Sequence, residues 1–175
     1  MKKILKFFIY FILLLFFVLL LLPKESLYNY LEHSLSKKKV LISNEQRNEK
    51  LLSLDINNAE IYYEGIKVAN INSTSFILLL FYNEININNI KVLDSLSTIV
   101  PSSINNIKVK YSVLDYKNID INSTGSFGEI EGKLNIITRK LIIKLKASSF
   151  MKSNYSKLLR NMRLKDGKYI WEQNL

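Results

Sequence analysis

The sequence predicts a mainly β protein: a single N-terminal transmembrane helix, then a small curved antiparallel β-sheet, shaped as an open half-barrel or taco, with one or two short helices. Three observations lead there. An uncharged apolar run fills residues 7–22, apolar and polar residues alternate with period two beyond residue 40, and the connectors between alternating stretches are short. The boundaries this implies are 1–23 for a cytoplasmic stub and anchor, 24–39 for a juxtamembrane amphipathic helix, and 40–175 for a periplasmic β-rich domain.

The anchor comes first. From Phe7 to Leu22 there is no charge, glycine or proline, and Ile4 and Leu5 extend the run. That gives about 19 residues, or roughly 28 Å of helix, close to the thickness of a hydrocarbon core. A cleaved signal peptide needs small residues before the cut, whereas this run ends in leucines before Pro23. Lys2, Lys3 and Lys6 hold the N-terminus in the cytoplasm by the positive-inside rule, which sends the domain outside. The expected location is the inner membrane, single-pass.

After Pro23, Leu27, Leu31 and Leu35 recur at helical spacing with Tyr28 beside them, predicting an amphipathic helix over 25–37. It serves either as a stalk packed on the domain or as an interfacial helix on lipid headgroups. Lys37, Lys38 and Lys39 end it, as a solvated turn or as a contact for lipid phosphates.

From Val40 the period becomes two. Leu52, Leu54 and Ile56 alternate with polar residues, as do Ile61 and Tyr63, Ile85 and Ile87, Ile107 to Val113, and Ile119 and Ile121. Each is a strand with one apolar face, and Glu64-Gly65 and Asn88-Asn89 read as tight connectors. The run Phe76, Ile77, Leu78, Leu79, Leu80, Phe81 breaks the alternation. It is a strand buried on both faces, or one lining an apolar groove that contacts an acyl chain or a partner strand. Gly125 to Lys146 reads as a hairpin turning at Thr138-Arg139-Lys140, with Leu134, Ile136, Leu141 and Ile143 facing inward. Met151 to Leu164 returns to helical spacing with a stripe of Tyr155, Leu158, Leu159 and Met162; Asp166-Gly167 ends this helix, and Lys168 to Glu172 returns to a strand.

Composition narrows the function. At 175 residues there is room for one domain beyond the anchor. The charge of +10 invites a nucleic-acid reading. The lysines, however, alternate with apolar residues as on a solvated sheet face, and no compact aromatic motif accompanies them. Without cysteine, and with His33 the sole imidazole, zinc sites, thiol nucleophiles and Ser-His-Asp triads lack material. Glu129 and Glu131 sit at i, i+2 on one strand face, where they keep it wet. No enzyme, no cofactor, no metal and no nucleic-acid partner are expected. Asp120-Ile121-Asn122-Ser123-Thr124 fits an acidic-x-Asn-x-Ser/Thr acceptor pattern, which makes Asn122 a candidate glycosylation site.

The apolar helix followed by Leu-Pro-Lys-Glu, the repeated strands, Gly125 to Ile136 and Leu158 to Ile170 together resemble the type II secretion N-protein (GspN) family. That family is in turn similar to AsmA-like bacterial envelope proteins. The resemblance implies a curved periplasmic β-sheet whose apolar side holds acyl chains or docks a partner strand, without catalytic residues. Two functions follow as expectations. One is an inner-membrane-anchored periplasmic structural or assembly subunit of an envelope-spanning, type II secretion-like system. The other is a lipid- or lipopolysaccharide-handling protein of AsmA- or LptC-like plan. The partners implied are a membrane and an envelope protein or a lipid. A filled core with one bare sheet edge favours the first, and continuous apolar residues open to solvent favour the second.

Overall fold

A computed structural model describes residues 2–20, 23–79, 81–97 and 99–175. It is mainly β, with eleven strands in one open antiparallel sheet. Helix α1 (Lys2–Leu20) and helix α2 (Lys24–Ser36) precede β1 (Val40–Ser43), β2 (Gln46–Glu49), β3 (Ser53–Tyr63), β4 (Ile66–Leu78), β5 (Tyr82–Val92) and β6 (Ser103–Ser112). Then come β7 (Asn118–Gly125), β8 (Gly128–Asn135), β9 (Lys140–Ala147), the short helices α3 (Ser149–Asn154) and α4 (Ser156–Leu159), β10 (Arg163–Lys165) and β11 (Lys168–Asn174). The order across the sheet is β1-β3-β4-β5-β6-β7-β8-β9-β11-β10, with β2 also paired to β3. From β3 to β9 the chain is an uninterrupted meander, as the short connectors require.

The transmembrane expectation is corrected. Among the described residues no helix is long and apolar enough to cross a membrane. The described side chains of α1 run from Lys3 to Val18, and their charge-free part, Phe7–Val18, spans about 18 Å at 1.5 Å per residue, against a hydrocarbon core of about 30 Å. The expected span counted on Leu21 and Leu22, which lie outside the described residues. The single-pass inner-membrane location, with a cytoplasmic N-terminus and a periplasmic domain, falls with it.

Other elements differ in detail. Helix α2 turns Lys24 and Tyr28 inward rather than the leucine stripe, and Leu27 and Leu31 are exposed. Tyr28 fits because its ring lies edge-on to Phe76 at 5.7 Å and the Arg47 guanidinium covers it at 4.6 Å. The Asn88-Asn89 connector is no turn: β5 runs through it, with Asn89 at φ +53. The expected helix from Met151 to Leu164 breaks at Tyr155 (φ −124, ψ 32), and Leu164 belongs to β10. Leu158 is exposed, while Met151, Tyr155 and Leu159 are buried.

Two apolar clusters hold the fold. Tyr28, Leu54, Ile56 and Ala59 form one where α2 lies on the sheet, with Ile42, Ile71 and Phe76 packed against it. Phe127, Leu145, Met151, Tyr155 and Leu159 form the other where α3 and α4 lie on β8, β9 and β11, joined by Ile104, Ile130 and Tyr169. Ser148 caps α3 by accepting from the Met151 amide at 3.0 Å, and its own hydroxyl donates to the Ser126 carbonyl at 2.6 Å, tying the helix to the β7–β8 turn.

Candidate functional site: an open apolar sheet face

Residues in register across a sheet share a face. From β4 to β11 one such row reads Phe76, Ile85, Val109, Ile121, Gly132, Ile143, Trp171. Six interstrand steps of about 4.8 Å make it roughly 29 Å long. The next row out toward the β4–β5 turn continues it with Tyr111, Ile119, Leu134 and Leu141. Beyond Phe76, these side chains belong to neither buried cluster and stay half-buried, although they are apolar and central in the sheet. The face is covered at its flanks by α2 and by α3 and α4, and its middle is open.

The opposite face is a charge ladder. Glu84, Lys110, Asp120 and Lys133 lie in register, and Lys108, Asn122, Glu131 and Lys144 form the row beside them. Lys108 pairs with Glu84 at 3.1 Å, Lys146 with Glu129 at 3.3 Å and Lys168 with Glu131 at 2.9 Å. The Tyr82 hydroxyl, then Lys108, hold the Glu84 carboxyl below the usual range, and Lys168 does the same for Glu131. The alternating lysines of the sequence stand on this ladder, where Lys108, Lys133, Lys146 and Lys168 meet carboxylates.

Clefts occur away from the apolar rows. One of about 410 Å³ lies on the charged face between Lys110, Asn122, Glu131 and Lys144. Another of about 610 Å³, at the β5–β6 end, is lined by asparagines such as Asn58, Asn70 and Asn89 together with Ile71, Ile90 and Ile104. Among the described residues there is no group of three or more His, Cys, Asp or Glu side chains placed to hold a metal ion. The apolar rows are an open wall rather than a closed pocket.

The candidate contact residues fall in three places. Phe76 and Leu78 stand on the apolar face and Ile77 on the opposite one, paired with Ser53 and Glu84. Leu79 and Phe81 belong to the β4–β5 turn, closed by the Leu79 amide donating to the Tyr82 carbonyl at 3.0 Å, and Leu80 lies outside the described residues. Among the described residues of the run, Phe76, Ile77 and Leu78 lie in β4 and Leu79 and Phe81 in the turn, so they do not form one doubly buried strand. Lys37, Lys38 and Lys39 form an exposed turn after α2, with Lys39 at φ +63 and paired to Glu64 at 2.5 Å. Asn122 is exposed in the middle of β7, on the charged face.

Around α2 the sequence concealed a polar bracket. Arg47 on β2 bonds Asn29 at 2.7 Å, Glu32 at 3.0 Å and Glu45 at 2.6 Å, and buried Lys24 pairs with Glu49 at 3.5 Å. Burial, then the charges of Glu45 and Glu32, push the Tyr28 phenol up to about 12. No periodicity announces these contacts, because they join a helix to a strand of purely polar sequence. No protein family matches the chain, nor does any curated protein or solved structure.

Proposed function

We propose that the β domain is a non-catalytic lipid-handling module that holds acyl chains, of the kind found in phospholipid or lipopolysaccharide, against the open apolar face of its sheet. One observation carries the reading: the row from Ile85 to Trp171 is apolar at every side chain it bears, yet no cluster buries it. An uncovered apolar wall of this length is costly in water, at roughly 25 cal/mol per Å² of exposed apolar area, and it calls for an apolar occupant. A flexible hydrocarbon chain fits a shallow wall that lacks directional polar groups. The resemblance to AsmA-like envelope proteins points the same way.

The other reading, a structural subunit of an envelope-spanning system that recruits a partner strand, is less well supported by the sheet's edges. Strand β10 has three residues, two of them Arg163 and Lys165. On the other side β1 and β2 are interrupted at Asn44 (φ +61), and β2 carries Arg47 and Glu49. Short, kinked and charged edges discourage strand addition.

The test uses the full chain and Val109→Asn. On an open wall this substitution is expected to cost about 1 kcal/mol or less, leaving the urea midpoint near the parent's, while lipid detected by native mass spectrometry falls sharply. A loss of roughly 2–5 kcal/mol, with a lipid-free parent, would mean that Val109 sits in sealed core and that the reading is wrong.

A further inference from the structure

Polar residues normally occupy hairpin turns. At one end of this sheet exposed apolar residues share them. The β4–β5 turn exposes Phe81, the β6–β7 connection exposes Leu114 at 99% of its surface, and the β8–β9 turn exposes Ile137. Leu51 before β3 and Leu175 after β11 are exposed at the same end. Backbone hydrogen bonds tie these connections side by side: the Val113 amide to the Phe81 carbonyl at 3.1 Å, the Ile136 amide to the Lys117 carbonyl at 2.9 Å, and the Leu175 amide to the Arg139 carbonyl at 2.9 Å. The apolar tips thus form a rim across the sheet, not separate loops.

We infer that this rim is a docking surface for an anionic lipid bilayer, with its turn residues lodged at headgroup depth. Three features select lipid as the occupant. The apolar tips stand on successive hairpins beside the exposed cations Lys117 and Arg139, and the one carboxylate among them, Asp115, is paired with Lys133 at 3.5 Å, an amphipathic pattern suited to a headgroup boundary carrying negative charge. Tyr116, with the Lys117 ammonium 5.5 Å from its ring centre, adds an aromatic ring with a polar tip, the side-chain type that favours such a boundary. Lastly, the chain enters the domain at this end, because Lys24 at the start of α2 pairs with Glu49, next to the turn into β3. The apolar helix α1, with Ile4 to Val18 largely exposed, therefore joins the domain beside the rim. The opposite end also exposes Ile66, Ile99 and Leu164, but on strands β4 and β10 and in the long β5–β6 connection, while its tight turns are Glu64-Gly65, Asp166-Gly167 and Lys37–Lys39, so those lysines lie outside this surface.

The rim borders the outer apolar row of Tyr111, Ile119, Leu134 and Leu141, so the wall assigned above to acyl chains opens onto the bilayer. That link rests on the proposed function. The docking itself does not.

The absence of native cysteine allows a clean probe. Leu114→Cys and Ile137→Cys in the full chain, each labelled with an environment-sensitive fluorophore, are mixed with vesicles of phosphatidylcholine containing a minority of phosphatidylglycerol. Asp166→Cys reports the far end. A several-fold emission gain with a blue shift is expected at 114 and 137 and not at 166. It should be quenched by lipids spin-labelled near the headgroup and weakened in vesicles without phosphatidylglycerol. Equal response at both ends, or none at 114 and 137, overturns the inference. So does a response to protein concentration without vesicles, which would make the rim a contact between copies. Failure here with lipid still bound to the wall would leave the proposed function standing.

Discussion

Leu54→Ala is expected to lower the stability of the chain by roughly 2–5 kcal/mol, the range for removing a fully buried leucine from a packed site. Leu54 has no exposed surface, and it sits in the cluster that seats α2 against β3 and β4. A cavity there loosens Tyr28, whose ring contacts Phe76 and carries Arg47 above it, so the helix and its polar bracket lose their seat together. Against a total of about 5–15 kcal/mol for a domain, that is a large share. Urea titration should show a far lower midpoint than the parent's, and lower than that of Val109→Asn on the open wall. A loss under about 1 kcal/mol would mean that this cluster does not organise the fold.

Gly128→Ala is expected to be comparably severe for a different reason. Gly128 opens β8 at φ +113, where side chains are disfavoured, and a Cβ added there would lie 2.1 Å from the Lys146 carbonyl oxygen and 2.8 Å from the Ser148 nitrogen. Both neighbours are backbone, so the β8–β9 pairing and the start of α3 must shift. Ser148 donates its amide to the Phe127 carbonyl at 2.9 Å, so the second cluster shifts with it. A loss of about 3 kcal/mol or more follows. Gly65→Ala is the control: its φ of +81 is also strained, but nothing lies within 4 Å, and about 1 kcal/mol is expected. Thermal unfolding of the pair should separate them clearly, and equal midpoints would show that the close approach at Gly128 is absent.

The strands were legible because period two survives wherever one face is apolar. Ile107, Val109 and Tyr111, or Ile119 and Ile121, announce their strands and their shared face. The turn at Glu64-Gly65 was legible for a local reason, since Gly65 takes positive φ without steric cost, whereas Asp166-Gly167, expected to end a helix, turns the β10–β11 hairpin. What the pattern hides is which apolar face is covered. Ile121 and Leu145 look alike in sequence, yet one is half-buried and the other lies under α3 and α4. Two short elements were merged into one at Met151 to Leu164 because helical spacing ran across the break at Tyr155. Phe76 to Leu78 lie in β4 and Leu79 and Phe81 in the turn that follows, a division the apolar run hides because an apolar turn imitates a buried strand. The polar bracket of Lys24, Arg47 and Glu49 had no signal, since charged residues on a short edge strand read as solvated.

The chain has a single tryptophan, and it closes the apolar row: Trp171 stands opposite Ile143, half-buried. Its fluorescence therefore reports directly on whether hydrocarbon lies along the wall. Titrating the full chain with a fatty acid brominated along its chain should quench Trp171 saturably, whereas the unbrominated acid should shift the emission to shorter wavelength without quenching. Unquenched emission at saturating brominated acid, or quenching that never saturates, would contradict an open acyl-binding face.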